Sequence, residues 1–293
     1  MKQLLLEILE IPRRALDCYK KNQGLQLPHQ IPYVPYLGMG ASFYAALTFF
    51  YCGKDIWPEI ASEYYYYLSR KRQPLGVFIS QSGETSEVLW NLEKFYKVIA
   101  ITNHPDSKLA QNQKIKKVVL LHAGEEQSLT ATKTYINTLI TLYLGLGINP
   151  KSGIMMLKKN LAKYKAEGRK KAQLIFRYIK TNTIKVLYLL GSGPNIGTSY
   201  EAALALGETT KLSWVGLPLA QYDHGPKETA KNSVVIFLDS LSKDKKRQAN
   251  LKKILQKKSN ALIITVSEDF LPENLSPLTL ITQIYFTMNY LAD

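Results

Sequence analysis

The sequence has few residues that could bind a metal or form disulfides. Of its 293 residues only two are cysteine, Cys18 and Cys52, and they lie far apart with no further cysteine at motif spacing. None of the four histidines forms a ligand pair with another histidine or a cysteine nearby. This pattern argues against a structural zinc site and is typical of a reducing compartment, so we expect a cytoplasmic protein without a metal.

Long apolar runs are also missing. No stretch of the sequence is apolar for long enough to cross a lipid bilayer. The first residues continue into an amphipathic helix, predicted over residues 1–23, and do not have the pattern of a cleavable signal. Both observations predict a protein that has no membrane partner.

Acidic residues are scarce relative to basic ones, with 23 Asp and Glu against 38 Lys and Arg and a formal net charge of +15. Such an excess can indicate a nucleic-acid partner. Here the lysines concentrate in residues 158–185 and 243–258, where they alternate with apolar residues as on the solvated face of a helix. No helix-turn-helix, zinc finger or aromatic RNA-binding pattern accompanies them. The sequence therefore argues against nucleic-acid binding.

The most informative stretch is residues 76–85, with the sequence GVFISQSGET. A short apolar run bounded by turn residues is typical of a strand that is buried on both faces. The spacing of Val88, Leu89 and Leu92 predicts a helix over residues 84–95. The turn between them would join the carboxyl end of a parallel strand to a helix N-terminus, where backbone N–H groups and the helix dipole favour an anion.

This turn is rich in hydrogen-bond donors. Gly83 would let the backbone approach a ligand closely. Four neighbouring side chains can donate hydrogen bonds: Ser80, Gln81, Ser82 and Thr85. The alternative is an ordinary polar turn with Ser82 as the helix N-cap. Because four side-chain donors exceed what a cap needs, the sequence predicts a phosphate-binding turn.

Residues 80–85 resemble the signature of the sugar isomerase (SIS) family, and more closely the isomerase half of glucosamine-fructose-6-phosphate aminotransferase. The glycine turn within residues 33–42 is similar to the first strand and turn of an SIS domain, and the resemblance implies that Ser42 binds phosphate. The tandem SIS layout is also similar to that of the bifunctional phosphoglucose/phosphomannose isomerase.

Residues 124–134 resemble the family's loop that closes over the sugar. Thr132 and Lys133 match the Thr-Lys of that loop, and the resemblance implies a substrate contact for Lys133. Ala131 stands where the family usually has a serine, so a hydroxyl contact is expected to be lost. Helix capping by Thr132 and a solvated Lys133 is an equally weighted alternative.

Strands alternate with helical stretches along the whole sequence, which predicts an α/β fold with doubly wound parallel sheets. Residues 185–197 repeat the strand, glycine turn and helix of residues 33–50. Such a weak internal repeat predicts two tandem SIS (flavodoxin-like) domains. A lysine-rich helical connector over residues 150–183 would join them. We therefore expect a first domain over residues 1–150 and a second, with the connector, over residues 151–293.

Glu208 and His224 are the residues predicted to carry chemistry. Interconversion of an aldose and a ketose needs a base that moves a proton between adjacent carbons and an acid–base group that opens the ring. A partly desolvated carboxylate suits the first role and a histidine the second. Residues 200–226 align with the aminotransferase without a gap. The resemblance implies that Glu208 is the base and that His224 opens the ring in the neighbouring subunit's site, hence a homodimer.

Structural roles are the alternative for both residues: a surface carboxylate on a helix for Glu208, and a turn residue before Gly-Pro for His224. Two departures from the family bear on the reaction. Ala205 or Gly207 replaces its lysine just before the base, and the sequence stops at Asp293 without its lysine-bearing tail. No glutaminase domain is expected within this length either.

These features predict a cofactor-independent isomerase or isomerising deaminase of a phosphorylated sugar, a hexose or amino-sugar 6-phosphate. A sugar-phosphate sensor without catalysis is the alternative. Ala131 and the missing tail favour the sensor, whereas Glu208 together with His224 favours the enzyme.

Overall fold

The computed structural model of the protein describes residues 2–29, 33–68 and 71–292. Its strands, in chain order, are β1 Pro35–Gly38, β2 Trp57–Ile60, β3 Gln73–Ile79, β4 Phe95–Thr102, β5 Ile115–Leu120, β6 Leu187–Gly191, β7 Trp214–Pro218, β8 Val234–Asp239 and β9 Leu262–Ser267. Its α-helices are α1 Lys2–Lys21, α2 Ala41–Tyr51, α3 Ala61–Glu63, α4 Ser86–Trp90, α5 Lys133–Gly145, α6 Lys151–Thr181, α7 Asn195–Thr210, α8 Leu219–His224, α9 Lys245–Lys258 and α10 Ser276–Leu291. Met1, where the first predicted helix begins, and the terminal Asp293 lie outside the described residues.

The chain divides into two compact units. The first unit consists of Ile11–Glu126 and Lys133–Lys151, and the second consists of Met1–Glu10, Gln127–Thr132 and Ser152–Asp293. The second unit is thus built from three separate segments of the chain. The predicted division into two SIS domains at residue 150 stays a prediction.

The described strands of the first unit form one parallel sheet with the order β2-β1-β3-β4-β5. The direction in which strands are added reverses between β1 and β3, and in a doubly wound sheet the crevice for a ligand opens there, outside the carboxyl ends of the strands. Leu37 of β1 pairs with Phe78 of β3, so the two strands end side by side. The turns that follow Gly38 and Ile79 therefore meet at this edge of the sheet.

The described strands of the second unit form a parallel sheet with the order β7-β6-β8-β9. Here the order reverses between β6 and β8. The predicted fold class, α/β with two parallel doubly wound sheets, is confirmed. None of the helices in the described ranges is long and apolar enough to span a membrane.

The apolar run before the predicted phosphate turn is a buried strand, as its sequence indicates. Val77, Phe78 and Ile79 at the end of β3 are each no more than 1% exposed. Val88 and Leu92 belong to the same core cluster as Phe78, so the predicted apolar face of this segment is confirmed. Burial on both faces fixes the end of β3, and with it the start of the turn.

The extent of the helix predicted over residues 84–95 is wrong. Helix α4 covers only Ser86–Trp90, a 3-10 turn follows, and Phe95 already belongs to β4. The side chain of the buried Asn91 donates hydrogen bonds to the carbonyl oxygens of Ala61, at 2.7 Å, and Glu87, at 2.8 Å. Because an asparagine that bonds backbone carbonyls competes with regular helical structure, the α-helix ends there.

The predicted lysine-rich connector is one long helix, α6. It buries an apolar stripe that includes Ile154, Leu157 and Ile175. Gly168 lies against α10, where an added Cβ would be 2.6 Å from Cβ of Phe286. The two helices can therefore pack closely, and the lysines occupy the remaining, mostly exposed face of α6.

Candidate functional site

The turn that follows β3 is held in shape by its own hydroxyl groups. Ser80 is 2% exposed, and its Oγ accepts a hydrogen bond from the N–H of Gly83 at 3.0 Å. The same Oγ lies 2.9 Å from Oγ1 of Thr85, so one of these hydroxyls donates to the other. Ser80 and Thr85, both predicted to bind phosphate, thus tie the start of the turn to its end.

Gly83 allows the sharp bend in the middle of this turn. Its φ of 67° lies in the left-handed region that side chains disfavour. An added Cβ would lie 2.1 Å from Oγ of Ser107, so no side chain fits here without displacing the neighbouring loop. A glycine at this position is therefore required by the packing of the turn against Ser107.

Ser82 has a different role from the N-cap considered as the alternative. Its Oγ accepts a hydrogen bond from the N–H of Glu84 at 3.1 Å, which is a local turn contact. The N-cap of α4 is Thr85, and no side chain caps this helix. Since Ser82 uses its oxygen as the acceptor in this contact, its O–H can point outward toward a ligand.

The acidic residue of the turn is paired, and its charge is offset. The Glu84 carboxylate accepts a hydrogen bond from the N–H of Lys108 at 2.9 Å, and the Lys108 Nζ lies 2.8 Å from its other oxygen. These bonds hold the pKa of Glu84 below its ordinary value. The backbone carbonyl of Gln81 accepts the N–H of Asn103 at 2.9 Å. The side-chain amide of Gln81 lies at the surface, with its Nε2 3.5 Å from Nε2 of His104.

Ser42 lies in the first turn of α2, directly after β1. Its N–H donates to the carbonyl of Met39 at 3.0 Å, which closes the turn between strand and helix. Because β1 and β3 are neighbours, the structure brings Ser42 and residues 80–85 to the same edge of the first sheet. This is the edge at which a doubly wound sheet binds ligands.

Lys133 is the first residue of α5, and its side chain is only 3% exposed. Its N–H donates to a carboxylate oxygen of Glu126 at 2.9 Å, and the hydroxyl of Thr134 donates to the other oxygen. Glu126 therefore caps α5, where the helix dipole favours a negative charge. The Lys133 side chain belongs to the same unit as Ser42 and the turn, and α5 packs against α2.

Glu208 lies in the last turn of α7, in the second unit, and is half-buried. Burial raises the pKa of its carboxyl group, although a hydrogen bond from the side chain of Thr130 and the charge of Lys211 oppose the shift. Lys211 also donates from Nζ to the Glu208 carbonyl at 2.6 Å. A carboxylate in this condition can accept a proton more readily than an exposed one.

His224 is the last residue of α8 and is exposed. Its two predecessors anchor the helix. Tyr222 is buried, with its ring 4.9 Å from that of Tyr188, and the carboxylate of Asp223 pairs with Lys227 and Arg247 at 3.0 and 2.9 Å. The imidazole is thus presented on a fixed support at the surface of the second unit. Among the described residues, no group of three or more His, Cys, Asp or Glu side chains could hold a metal ion.

Sequence reasoning missed three polar residues that support these groups: Glu7, Glu126 and Thr130. Glu7 had a detectable signal, because it falls between Leu4 and Ile11 on the apolar stripe of an amphipathic helix. A charged residue at such a position needs a buried partner. Glu126 and Thr130 had no such signal in the sequence, since their partners are known only from the fold.

Residues 61–146 match the SIS domain family. This SIS region contains the turn at residues 80–85 and Lys133. The chain is also similar to isomerizing glutamine–fructose-6-phosphate aminotransferases. It is 31% identical to that of Sulfolobus acidocaldarius, over 65% of this chain and 33% of the relative. It is 26% identical to that of Pyrococcus horikoshii, over 99% of this chain and 54% of the relative. The chain thus spans between a third and about half of the length of these relatives.

Solved structures share the fold over nearly the whole chain. The C-terminal domain of glucosamine-fructose-6-phosphate aminotransferase from Francisella tularensis has a TM-score of 0.78 at 19% identity, over 99% of this chain and 95% of that one. Glucosamine-6-phosphate deaminase from Thermotoga maritima has a TM-score of 0.77 at 18% identity, over 99% and 94%. Tagatose-6-phosphate ketose/aldose isomerase from Escherichia coli has a TM-score of 0.76 at 15% identity, over 99% and 92%. The chain has the fold of these proteins.

Proposed function

We propose that the protein is a sugar-phosphate isomerase, or an isomerising deaminase, that acts on a hexose or amino-sugar 6-phosphate of the glucosamine-6-phosphate/fructose-6-phosphate type. The observation that carries this proposal is the donor-rich turn after β3, at the reversal point of the first sheet and inside the SIS region. The names of the similar proteins, which include aminotransferases, a deaminase and an isomerase of sugar phosphates, support the same substrate class.

In the proposed site the phosphate is bound by the first unit. The outward hydroxyl of Ser82 would donate to its oxygens, with Ser42 and Lys133 as further contacts. Gln81 would donate from its amide at the rim of the site. Ser80 and Thr85 act through the shape of the turn, because their hydroxyls already bond each other.

In the proposed reaction Glu208 moves the proton. Its carboxylate takes a proton from the carbon next to the carbonyl and returns it to the former carbonyl carbon. The hydroxyl proton passes from the oxygen of the first carbon to the former carbonyl oxygen, so aldose and ketose exchange without a net change in atoms. The raised pKa supports this role, since the base must hold the proton between the two steps. His224 opens the sugar ring beforehand. The proposal requires no metal and no organic cofactor.

We further propose that the second unit is a second SIS domain and that the protein is a homodimer of the cytoplasm, in which His224 serves the partner's site. The exposure of His224 on an anchored helix supports a role across an interface. The alternating lysine faces of α6 and α9 support a solvated surface and not a nucleic-acid partner.

The experiment is a proton NMR assay of the purified protein with fructose 6-phosphate, with and without ammonium, and with glucosamine 6-phosphate. We expect conversion between ketose and aldose forms, and the matched variant Glu208→Gln should abolish it. Glu208→Gln keeps the size and hydrogen bonding of the side chain but cannot take the proton. Binding of these sugars without any turnover would refute the isomerase.

A second candidate is a sugar-phosphate sensor without catalysis. Ala131 favours it, because this residue replaces a serine in the loop that resembles the family's sugar-closing loop. The same assay separates the two candidates. The sensor predicts saturable binding, measured by calorimetry, that is equally tight in wild type and in Glu208→Gln.

A further inference from the structure

The segment Gln127–Thr132 belongs to the second unit, together with Glu208. Thr130 in its centre is only 3% exposed, although the preceding Leu129 is 77% exposed. The side chain of Leu129 therefore does not hold the segment in place by apolar packing. Polar contacts on both sides of Leu129 fix it instead.

The hydroxyl groups of Thr209 and Thr130 form two successive hydrogen bonds that end on the carboxylate of Glu208. Its side chain is hydrogen-bonded to Glu208, and its Oγ1 lies 3.0 Å from Oγ1 of Thr209. A carboxylate only accepts hydrogen bonds, so Thr130 donates its single proton to Glu208. Thr209 then donates to Thr130. The result is a directed chain of hydrogen bonds that ends on the carboxylate.

Glu7 holds the beginning of the same segment. It is 1% exposed, and its Oε1 accepts the N–H of Gln127 at 2.7 Å and a side-chain N–H of Gln3 at 3.0 Å. Both of its oxygens lie 3.3 Å from the N–H of Ser128. Burial raises the pKa of Glu7, but the hydrogen bonds from Ser128, Gln3 and Gln127 outweigh it, and the pKa lies below its ordinary value. A charged acceptor thus clamps the chain two residues before Thr130.

We propose that Thr130 is a positioning residue for Glu208, and that Glu7 keeps it in place through its clamp on Gln127–Thr132. This inference rests on the proposed function, in which Glu208 is the base. Thr130 fixes the direction of the carboxylate and favours its ionised form, so that the lone pair is ready to take a proton. Thr209 completes the chain by donating to Thr130.

Titration of Glu208 tests the proposal without any need for turnover. The protein is labelled with glutamate enriched in ¹³C at the side-chain carboxyl carbon and titrated by ¹³C NMR. The Glu208 signal is assigned by its loss in Glu208→Gln. Thr130→Val keeps the branched shape and removes the hydroxyl, whereas Thr130→Ser keeps the hydroxyl. We expect a higher pKa for Glu208 in Thr130→Val, because its charged form loses a hydrogen bond, and a pKa close to wild type in Thr130→Ser. Leu129→Ala, at the exposed neighbour, is the control that should leave the titration unchanged.

Kinetics supply the second measurement. In Thr130→Val we expect kcat to fall by about tenfold, the loss expected for one hydrogen bond to a charged group, while KM changes little. The acid limb of the pH profile of kcat should move to higher pH. Thr130→Ser should restore both kcat and the position of this limb. Glu7→Gln should move the Glu208 titration in the same direction as Thr130→Val, since it loosens the clamp.

An unchanged Glu208 titration in folded Thr130→Val would overturn the inference. If Thr130→Val does not fold, Thr130→Ala takes its place, because it also removes the Thr130 hydroxyl, and an unchanged titration there has the same meaning. If wild type converts no sugar phosphate, the proposed function fails. The titrations still decide whether Thr130 positions Glu208.

Discussion

Neighbouring hydroxyls in the turn after β3 have different tasks. Ser80 is buried and bonded to Thr85 and Gly83, so its hydroxyl serves the shape of the turn. Ser82 only accepts a local hydrogen bond, and its proton is free for a ligand in the proposed site. Residue types alone cannot separate these tasks, because both are serines two positions apart.

Ser82→Ala tests the contact to phosphate. We expect binding of a sugar 6-phosphate to weaken by roughly 1.5–3 kcal/mol, the range for a hydrogen bond to a charged group. Calorimetry with fructose 6-phosphate measures the change. Ser152→Ala, at an exposed position in the other unit, is the control and should bind as wild type does. Equal affinities for wild type and Ser82→Ala would remove Ser82 from the site.

Glu7 gives the protein a specific dependence on pH. Its pKa in the folded protein lies below the ordinary value of 4.5, so its hydrogen bonds stabilise the fold above that pH and are lost as the pH falls through the folded value. Glu7→Gln should therefore lower the stability by about 1–3 kcal/mol at pH 7. The difference from wild type should shrink below about pH 4.5. Urea unfolding at several pH values measures both, and a difference that stays constant down to pH 3 would contradict the assignment.

At the scale of elements, the bend at Gly83 makes the turn possible. Gly83→Ala combines a left-handed backbone, which costs roughly 1–2 kcal/mol, with a clash against Ser107. Gly53→Ala is the matched control, because Gly53 has a φ of 76° but open space around its Cα. We expect Gly83→Ala to lower the midpoint of thermal unfolding clearly more than Gly53→Ala does. Equal midpoints would show that the neighbouring loop yields without cost.

The sequence predicts the elements that carry strong local signals. The apolar run of β3, the glycine turns after β1 and β6 and the lysine-rich α6 all follow from pattern and turn chemistry. Strand β2 could not be predicted, because it contains half-exposed residues such as Trp57 and Glu59 and does not form an apolar run. The end of α4 could not be predicted from the sequence either, since this end depends on the contact of Asn91 with a distant segment.

The candidate site divides in the same way. Residues 80–85 can be proposed from their own chemistry, and Ser42, Glu208 and His224 from the resemblance to the SIS family. Their supports cannot, because Glu7 and Gln127 meet across 120 positions and Thr130 and Thr209 across 79. Such contacts depend on the folding of the whole chain and leave no local pattern.

At the scale of the whole molecule, the proposed dimer makes a sharp prediction. Glu208→Gln and His224→Ala proteins should each be nearly inactive. A mixed dimer has one site with both defects and one with neither, if His224 serves the partner's site. Random reassembly should then restore up to about a quarter of the wild-type activity, because half of the dimers are mixed and half of their sites are intact. A reassembled mixture that stays inactive, with exchange verified by mass spectrometry, would place His224 in its own subunit's site or outside the reaction.

The second unit is built from three separate segments of the chain, and this affects the order in which the protein can fold during synthesis. Met1–Glu10 and Gln127–Thr132 leave the ribosome before the segment Ser152–Asp293 with which they form a compact unit. The first unit lacks this delay, since all of it is synthesised by Lys151. Glu7 can bond Gln127 early, but Thr130 finds Glu208 and Thr209 only after α7 is complete. The group that would carry the chemistry is thus assembled after the turn that would bind the phosphate.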